Sequence, residues 1–167
     1  MIVHPDDVLD AKKKILESVG ETILSYSIED RPSKTDYYLG IAKAVSRRST
    51  CLRRHYGAVI VNNDEIIATG YNGNPRGMFN CCEKKTCHRE DRPHNSGDYS
   101  DCFSVHAEQN ALLSASRRDM IGGTLYLYGE ESDGHIITDV EPCPICMRMI
   151  QNSGIRCVTT VRNNKII

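Results

Sequence analysis

His106-Ala107-Glu108 and, further on, Pro142-Cys143-Pro144-Ile145-Cys146 bound the stretch on which the reading of this chain turns. His106, Cys143 and Cys146 are three ligands of the kind that suit zinc, which leaves the fourth tetrahedral position to water. Cys143 and Cys146 stand at i and i+3, so a helix places both thiols on one face, about a turn apart. Pro144 costs that helix nothing in its first turn, where its missing N–H has no intrahelical partner. A helix N-terminus also favours negative charge and so lowers cysteine pKa. His106 and Glu108, two residues apart, would diverge within a helix and are therefore expected at a helix entry, imidazole on the metal and carboxylate at the water. Two helix N-termini meeting at one cation is the predicted arrangement.

Working outward, Ser104 offers an N-cap to a helix running to about Arg118. Gly122-Gly123 introduce a strand at Thr124–Tyr128, and a helix from about Cys143 to Asn152 is closed by Gly154 ahead of a last strand, Ile155 to Val161. On the other side, Tyr56–Val61 and Glu65–Gly70 flank Asn62-Asn63-Asp64 and read as a hairpin. A helix from Thr35 or Asp36 to about Arg48 carries Tyr38, Ile41, Ala42 and Val45 on one face. Residues from about Pro5 to Tyr26 read as an N-terminal helix. The order α-α-β-β-α-β-α-β predicts an α/β fold, a mixed sheet with helices on its faces, in a single domain. That domain divides into an N-terminal helical extension, 1–34, and a catalytic core, 35–167. Tyr71 to Phe103 is a long connection with little aliphatic content, of the kind that is functional, disordered or pinned by something other than a core.

At 167 residues and 18.7 kDa, with 40% hydrophobic and 26% charged residues, the chain has the composition of one globular domain. A net charge of −1 argues against a partner bound through a basic surface, nucleic acid above all. No apolar run reaches the length of a membrane helix, and the N-terminus lacks the pattern of a secretory signal. A cytoplasmic location is the expectation, and there eight cysteines point to metal ligands or catalysis rather than disulfides.

The combination H-x-E followed by P-C-x-x-C is the signature of the zinc deaminases. With Gly57-Ala58-Val59-Ile60-Val61, Thr69 through Gly77 (which contains Gly70-Tyr71-Asn72-Gly73) and His106 through Ala111, it makes Cys51 to Ile155 resemble the cytidine/deoxycytidylate deaminase family, and within it the deoxycytidylate branch. The resemblance implies a three-layer α-β-α fold and hydrolytic deamination of dCMP to dUMP. It also implies one catalytic Zn2+ on His106, Cys143 and Cys146, with Glu108 as proton shuttle. Asn72 is implied as a substrate-holding residue, against the alternative of a turn asparagine in the left-handed region. A homo-oligomer, a hexamer among the arrangements, and dCTP or dTTP as effectors around Asn72–Gly77 are further implications.

A second, structural zinc is expected from Cys51, Cys81 or Cys82, Cys87, His88, His94 and Cys102, because it would order a loop poor in apolar residues. Cys157 reads as a small buried residue. Arg48 and Arg76, with neighbouring Arg47, Arg53 and Arg54, are candidates for a nucleotide phosphate. Tyr126 is a candidate for stacking on a base, against core packing. The acidic segment Gly129–Val140, an interruption relative to the family pattern, is expected to hold a small hairpin at Asp133-Gly134 and to lie by the pocket mouth. Two other readings stand: a deaminase of another cytosine or purine nucleoside or nucleotide, and a zinc-stabilised binding module without catalysis. Glu108 discriminates against the last, since a structural site has no use for that carboxylate.

Overall fold

The computed structural model describes residues 31–93, 102–162 and 164–166. Apart from Arg31 and Pro32, these belong to the unit Ser33–Ile167. The N-terminal helix expected over Pro5–Tyr26 and the ligand candidate His94 lie outside the described residues.

The first helix, α1 (Lys34–Ser46), starts where Ser33 caps it, its side chain accepting from the Asp36 N–H. The hairpin follows: β1 (Arg54–Asn62) pairs antiparallel with β2 (Glu65–Tyr71). Asn63 and Asp64 between them both have positive φ, the conformation a two-residue hairpin turn demands. A single helical turn, α2 (Cys81–Lys84), interrupts the long connection. Then come α3 (Ala107–Leu113), a short α4 (Arg117–Met120), β3 (Thr124–Glu131), α5 (Pro144–Ser153), β4 (Cys157–Thr159) and β5 (Asn164–Ile166). The sheet order is β2-β1-β3-β4-β5, with β3 and β4 parallel and the other pairs antiparallel.

Strand alternation divides the core into two layers. Ala58, Ile60, Leu125 and Leu127 face α3 and α5 and pack with Ala107, Ala111 and Ile150. Val59, Val61 and Tyr128 face the other way and pack with Tyr38 and Ala42 of α1. The expected three layers, helix on sheet on helix, are therefore present. Two glycines let the helices approach: a Cβ at Gly57 would fall 2.0 Å from the Ala42 carbonyl oxygen, and one at Gly70 would fall 2.3 Å from the Ala107 carbonyl oxygen.

Four boundaries differ from the sequence reading. Ser104 does not cap α3, because Val105 is held extended by reciprocal backbone bonds with Gly73 and the helix cannot start until His106. The helix also stops at Ser114, and Ser116 caps the separate turn α4. β3 runs to Glu131, three residues beyond the expected Tyr128, since β1 pairs with it down to Arg54. The last expected strand shrinks to Cys157–Thr159 and is followed by β5.

The acidic segment is built into the domain. Ile137 and Val140 are buried in the core on the α3 and α5 side, and the turn at Asp133-Gly134 returns the chain so that Glu131 N–H donates to the His135 carbonyl at 2.8 Å. Among the described residues, no helix is long and apolar enough to cross a membrane.

Candidate active site

Two helix N-termini meet as the sequence requires. His106 is the N-cap of α3, and its backbone N–H donates to the Gln109 side chain at 3.0 Å. Cys143 is the N-cap of α5, where its sulfur accepts the Cys146 N–H at 3.4 Å, Pro144 fills the first position and Gly154 ends the helix at φ 86°. His106 Nδ1 lies 3.6 Å from Cys143 Sγ and 3.4 Å from Cys146 Sγ. With Zn–S near 2.3 Å and Zn–N near 2.0 Å, a tetrahedron has N···S edges of roughly 3.5 Å. Both N···S edges thus already match those of a tetrahedral zinc site, and the three ligand atoms lie within 4.8 Å of one another.

Charge in the site points the same way. Glu108 is 5% exposed, and burial raises its pKa from the usual carboxylate range. Cys146 is fully buried, and burial pushes its thiol up, reinforced by the charges of Glu108 and Cys143. Burial disfavours ionisation of Glu108 and of Cys146 alike, and a divalent cation beside them reverses that balance.

Around this centre the loop after β2 is tied in place. Gly73 pairs with Val105, next to His106, and the Asn110 side chain donates to the Tyr71 carbonyl at 2.7 Å. Asn72 is buried, with Oδ1 accepting from the Tyr56 N–H at 2.8 Å and Nδ2 donating to the Arg54 carbonyl at 2.9 Å. Its φ is not positive, so the turn alternative does not describe it.

Tyr56, which the sequence reading took only as the first residue of a strand, packs on the same side of the sheet as Ala107. Its ring crosses Gly129, where a Cβ would come within 2.6 Å of it. Burial raises the phenol pKa, Arg54 draws it back, and the charges of Glu108 and Glu131 add to the rise. The signal available in sequence was positional: Tyr56, Ala58 and Ile60 alternate onto one face.

Other candidates fall elsewhere. Tyr126 lies on the α1 face, its ring 5.0 Å from that of Tyr38, so the sheet separates it from His106 and Glu108 and it does not reach a base bound there. Arg48 and Arg76 are exposed in the segments flanking the Asn72 loop and its supports. Arg53 donates to the carbonyls of Arg89 and Arg92, at 2.6 Å each, and so pins the 89–92 turn. Arg54 grips Glu131.

In the cysteine-rich loop, Cys81 is half-buried. Burial raises its thiol pKa, with additions from Cys51, Cys87, Cys102 and Cys82 in that order. The Arg53 N–H approaches Cys51 Sγ at 3.4 Å and the Arg89 N–H approaches Cys87 Sγ at 3.4 Å. Cys82, the alternative to Cys81, is exposed, as is His88, whose ring stacks edge-on against Phe103 at 5.0 Å. The half-buried cysteine of the pair is Cys81.

The profile of the cytidine and deoxycytidylate deaminase zinc-binding region matches residues 32–162. The deoxycytidylate deaminase of Mycobacterium phage D29 is 42% identical over 134 residues, covering 77% of this chain and 94% of the phage protein. That of Schizosaccharomyces pombe is 39% identical over 127 residues, 75% of this chain but only 36% of the yeast protein. Among solved structures, the dCMP deaminase of cyanophage S-TIM5 in complex with dCMP and dUMP superposes with a TM-score of 0.58 at 32% identity, covering 78% of this chain and 82% of that one.

Proposed function

Because the chain belongs to the cytidine and deoxycytidylate deaminase family, we propose that it is a zinc-dependent hydrolase converting dCMP to dUMP with release of ammonia. The observation that carries the reading is the His106–Cys143–Cys146 face at tetrahedral spacing, with a buried carboxylate, Glu108, two residues after the histidine.

His106, Cys143 and Cys146 would hold the Zn2+. Bound there, it supplies the Lewis acidity that makes water nucleophilic near neutral pH. Glu108 would take one proton from the attacking water and deliver it to the ring nitrogen beside the reacting carbon, then take the second from the new hydroxyl and give it to the departing amine, which leaves as ammonia. Burial of Glu108 suits both halves of that work, since it brings the acid and base forms closer in free energy. The Asn72 amide, fixed by β1, presents its remaining hydrogen-bonding capacity beside the site and holds the sugar of the substrate. No organic cofactor is needed.

The loop cysteines support a second, structural zinc on Cys51, Cys81, Cys87 and Cys102. Backbone N–H groups approach the sulfurs of Cys51 and Cys87, the charges of Cys51, Cys87 and Cys102 reach Cys81, and a cation would tie a connection with little core of its own to the segment before β1. A count of two zincs per chain, falling to one in Cys81→Ser and unchanged in Cys82→Ser, supports this assignment. One zinc in the unaltered protein excludes it.

The family resemblance extends the proposal to a homo-oligomer, with a hexamer as one arrangement, and to dCTP and dTTP as effectors near Asn72–Gly77. Exposed Met78 and Phe79 beside that loop support a contact there. None of the eight cysteines is joined in a disulfide, which supports a reducing, cytoplasmic setting.

The test is to incubate the zinc-loaded protein with dCMP, deoxycytidine, cytidine, dCTP, adenosine and guanine and to measure ammonia. Turnover of dCMP above the others is expected. An inert dCMP beside a reactive purine or nucleoside overturns the substrate assignment in favour of another deaminase.

A further inference from the structure

Four arginines lie close together in sequence around Cys51, and the fold separates their roles. Arg47 and Arg48 are exposed at the end of α1, and Arg53 is committed to the carbonyls of Arg89 and Arg92. Arg54 alternates with Tyr56, Ala58 and Ile60 onto the face that carries α3 and the ligand cluster. Its carbonyl holds Asn72 Nδ2, and its Nη1 is 3.5 Å from the Tyr56 hydroxyl. The same guanidinium grips Glu131, Nε at 2.9 and 3.2 Å from the two carboxylate oxygens and Nη2 at 2.7 Å from the nearer one. The two side chains are 19% and 33% exposed, so the pair is partly open to solvent.

We propose that Arg54 is a specificity-determining residue for the 5′-phosphate of a nucleoside monophosphate, and that Glu131 is the internal carboxylate that this phosphate displaces. The inference rests on the dCMP reading above. A carboxylate and a phosphate offer a guanidinium fork the same pair of oxygens. A phosphate monoester carries roughly −1.5 to −2 charge near neutral pH against −1 for the carboxylate, so it wins the exchange. A partly exposed ion pair contributes little to stability, and its opening costs correspondingly little.

The link to the reaction centre runs through named groups. Asn72 is clasped to the backbone of Arg54 and Tyr56, and Tyr56 is near enough to Glu108 to feel its charge. A nucleotide held by Asn72 therefore has Arg54 as its neighbouring cation. A nucleoside leaves Arg54 on Glu131 and gains nothing from it, and discrimination follows. Glu131, contributed by the acidic segment, keeps the arginine paired and oriented between turnovers.

The test is steady-state deamination of dCMP and deoxycytidine by the zinc-loaded protein, Arg54→Gln, Arg54→Lys and Glu131→Gln, with zinc content and thermal midpoint measured for each. Loss of a bidentate charge-assisted contact is expected to raise KM for dCMP by about 10- to 100-fold in Arg54→Gln, with kcat changed far less and the preference for dCMP over deoxycytidine reduced. Arg54→Lys falls between, since it keeps the charge and loses the fork. Glu131→Gln, which removes the competitor, lowers KM for dCMP. An unaltered protein inert towards dCMP sinks the substrate reading itself. If the unaltered protein turns over dCMP but KM stays within about twofold in a folded, zinc-loaded Arg54→Gln, or rises in Glu131→Gln, Arg54 does not read the phosphate. Should Arg54→Gln fail to fold, Glu131→Gln decides by the direction of its KM.

Discussion

Asn72 reaches across to β1 and closes a two-point clasp on it, Oδ1 on the Tyr56 N–H at 2.8 Å and Nδ2 on the Arg54 carbonyl at 2.9 Å. The backbone N–H of Asn72 also donates to the Tyr56 carbonyl at 3.3 Å. The residue proposed to hold the substrate is thus part of the sheet edge as well, and stability and binding are joined in one side chain. Asn72→Ala leaves a buried N–H and C=O without partners, at a cost of about 1–3 kcal/mol. Urea unfolding should show that loss together with a raised KM. A KM effect with unaltered stability would mean that the clasp contributes nothing to the fold.

Gly70 and Gly40 make a matched pair. A methyl group at Gly70 would lie 2.3 Å from both the Ala107 carbonyl oxygen and the Ala111 nitrogen, so Gly70→Ala must push α3, and with it His106 and Glu108, off the sheet. The expected cost is about 1–3 kcal/mol, with weaker zinc retention. Gly40 is exposed within α1 and has open space around it, so Gly40→Ala should stabilise by about 0.5–1 kcal/mol. Thermal midpoints and zinc content of the two variants check both signs.

Tyr38 predicts an alkaline limit. Its hydroxyl donates to Asp64 Oδ1 at 2.8 Å, and that bond, with burial, pushes the phenol up to about 12 from 10.0. A folded pKa above the unfolded one gives a contribution fully present below pH 10 and lost as pH rises towards 12. Tyr38→Phe should therefore be less stable than the parent at pH 8 and converge on it as pH approaches 12, a trend that pH-dependent urea midpoints can follow. A constant difference across that range would contradict the linkage.

Much of the reaction centre was legible in sequence because its signals are local. Pro144 and Gly154 bracket α5, and the i, i+3 spacing of Cys143 and Cys146 sets both thiols on its first turn. The Asn63-Asp64 turn announced its hairpin through residues that tolerate positive φ. What stayed hidden depends on long-range pairing. Alternation puts Tyr126 and Tyr128 on one face but does not say which face α1 covers, and α1 covers theirs. Ser104 is a good capping residue by type, yet the pairing of Val105 with Gly73 moves the start of α3 to His106. Cys81 and Cys82 are adjacent, and spacing cannot choose between them when one points inward and the other to solvent. The Arg54–Glu131 pair joins residues 77 apart and emerges only with the β1–β3 register.

The central claim is that Glu108 moves protons for a zinc held by His106, Cys143 and Cys146 during conversion of dCMP to dUMP. The most direct measurement is ammonia release from dCMP by Glu108→Gln, with bound zinc determined on the same sample. The account predicts one zinc retained at the catalytic site and turnover reduced by about 10²- to 10⁴-fold relative to the parent. A zinc-loaded Glu108→Gln that releases ammonia at the parent rate would contradict it.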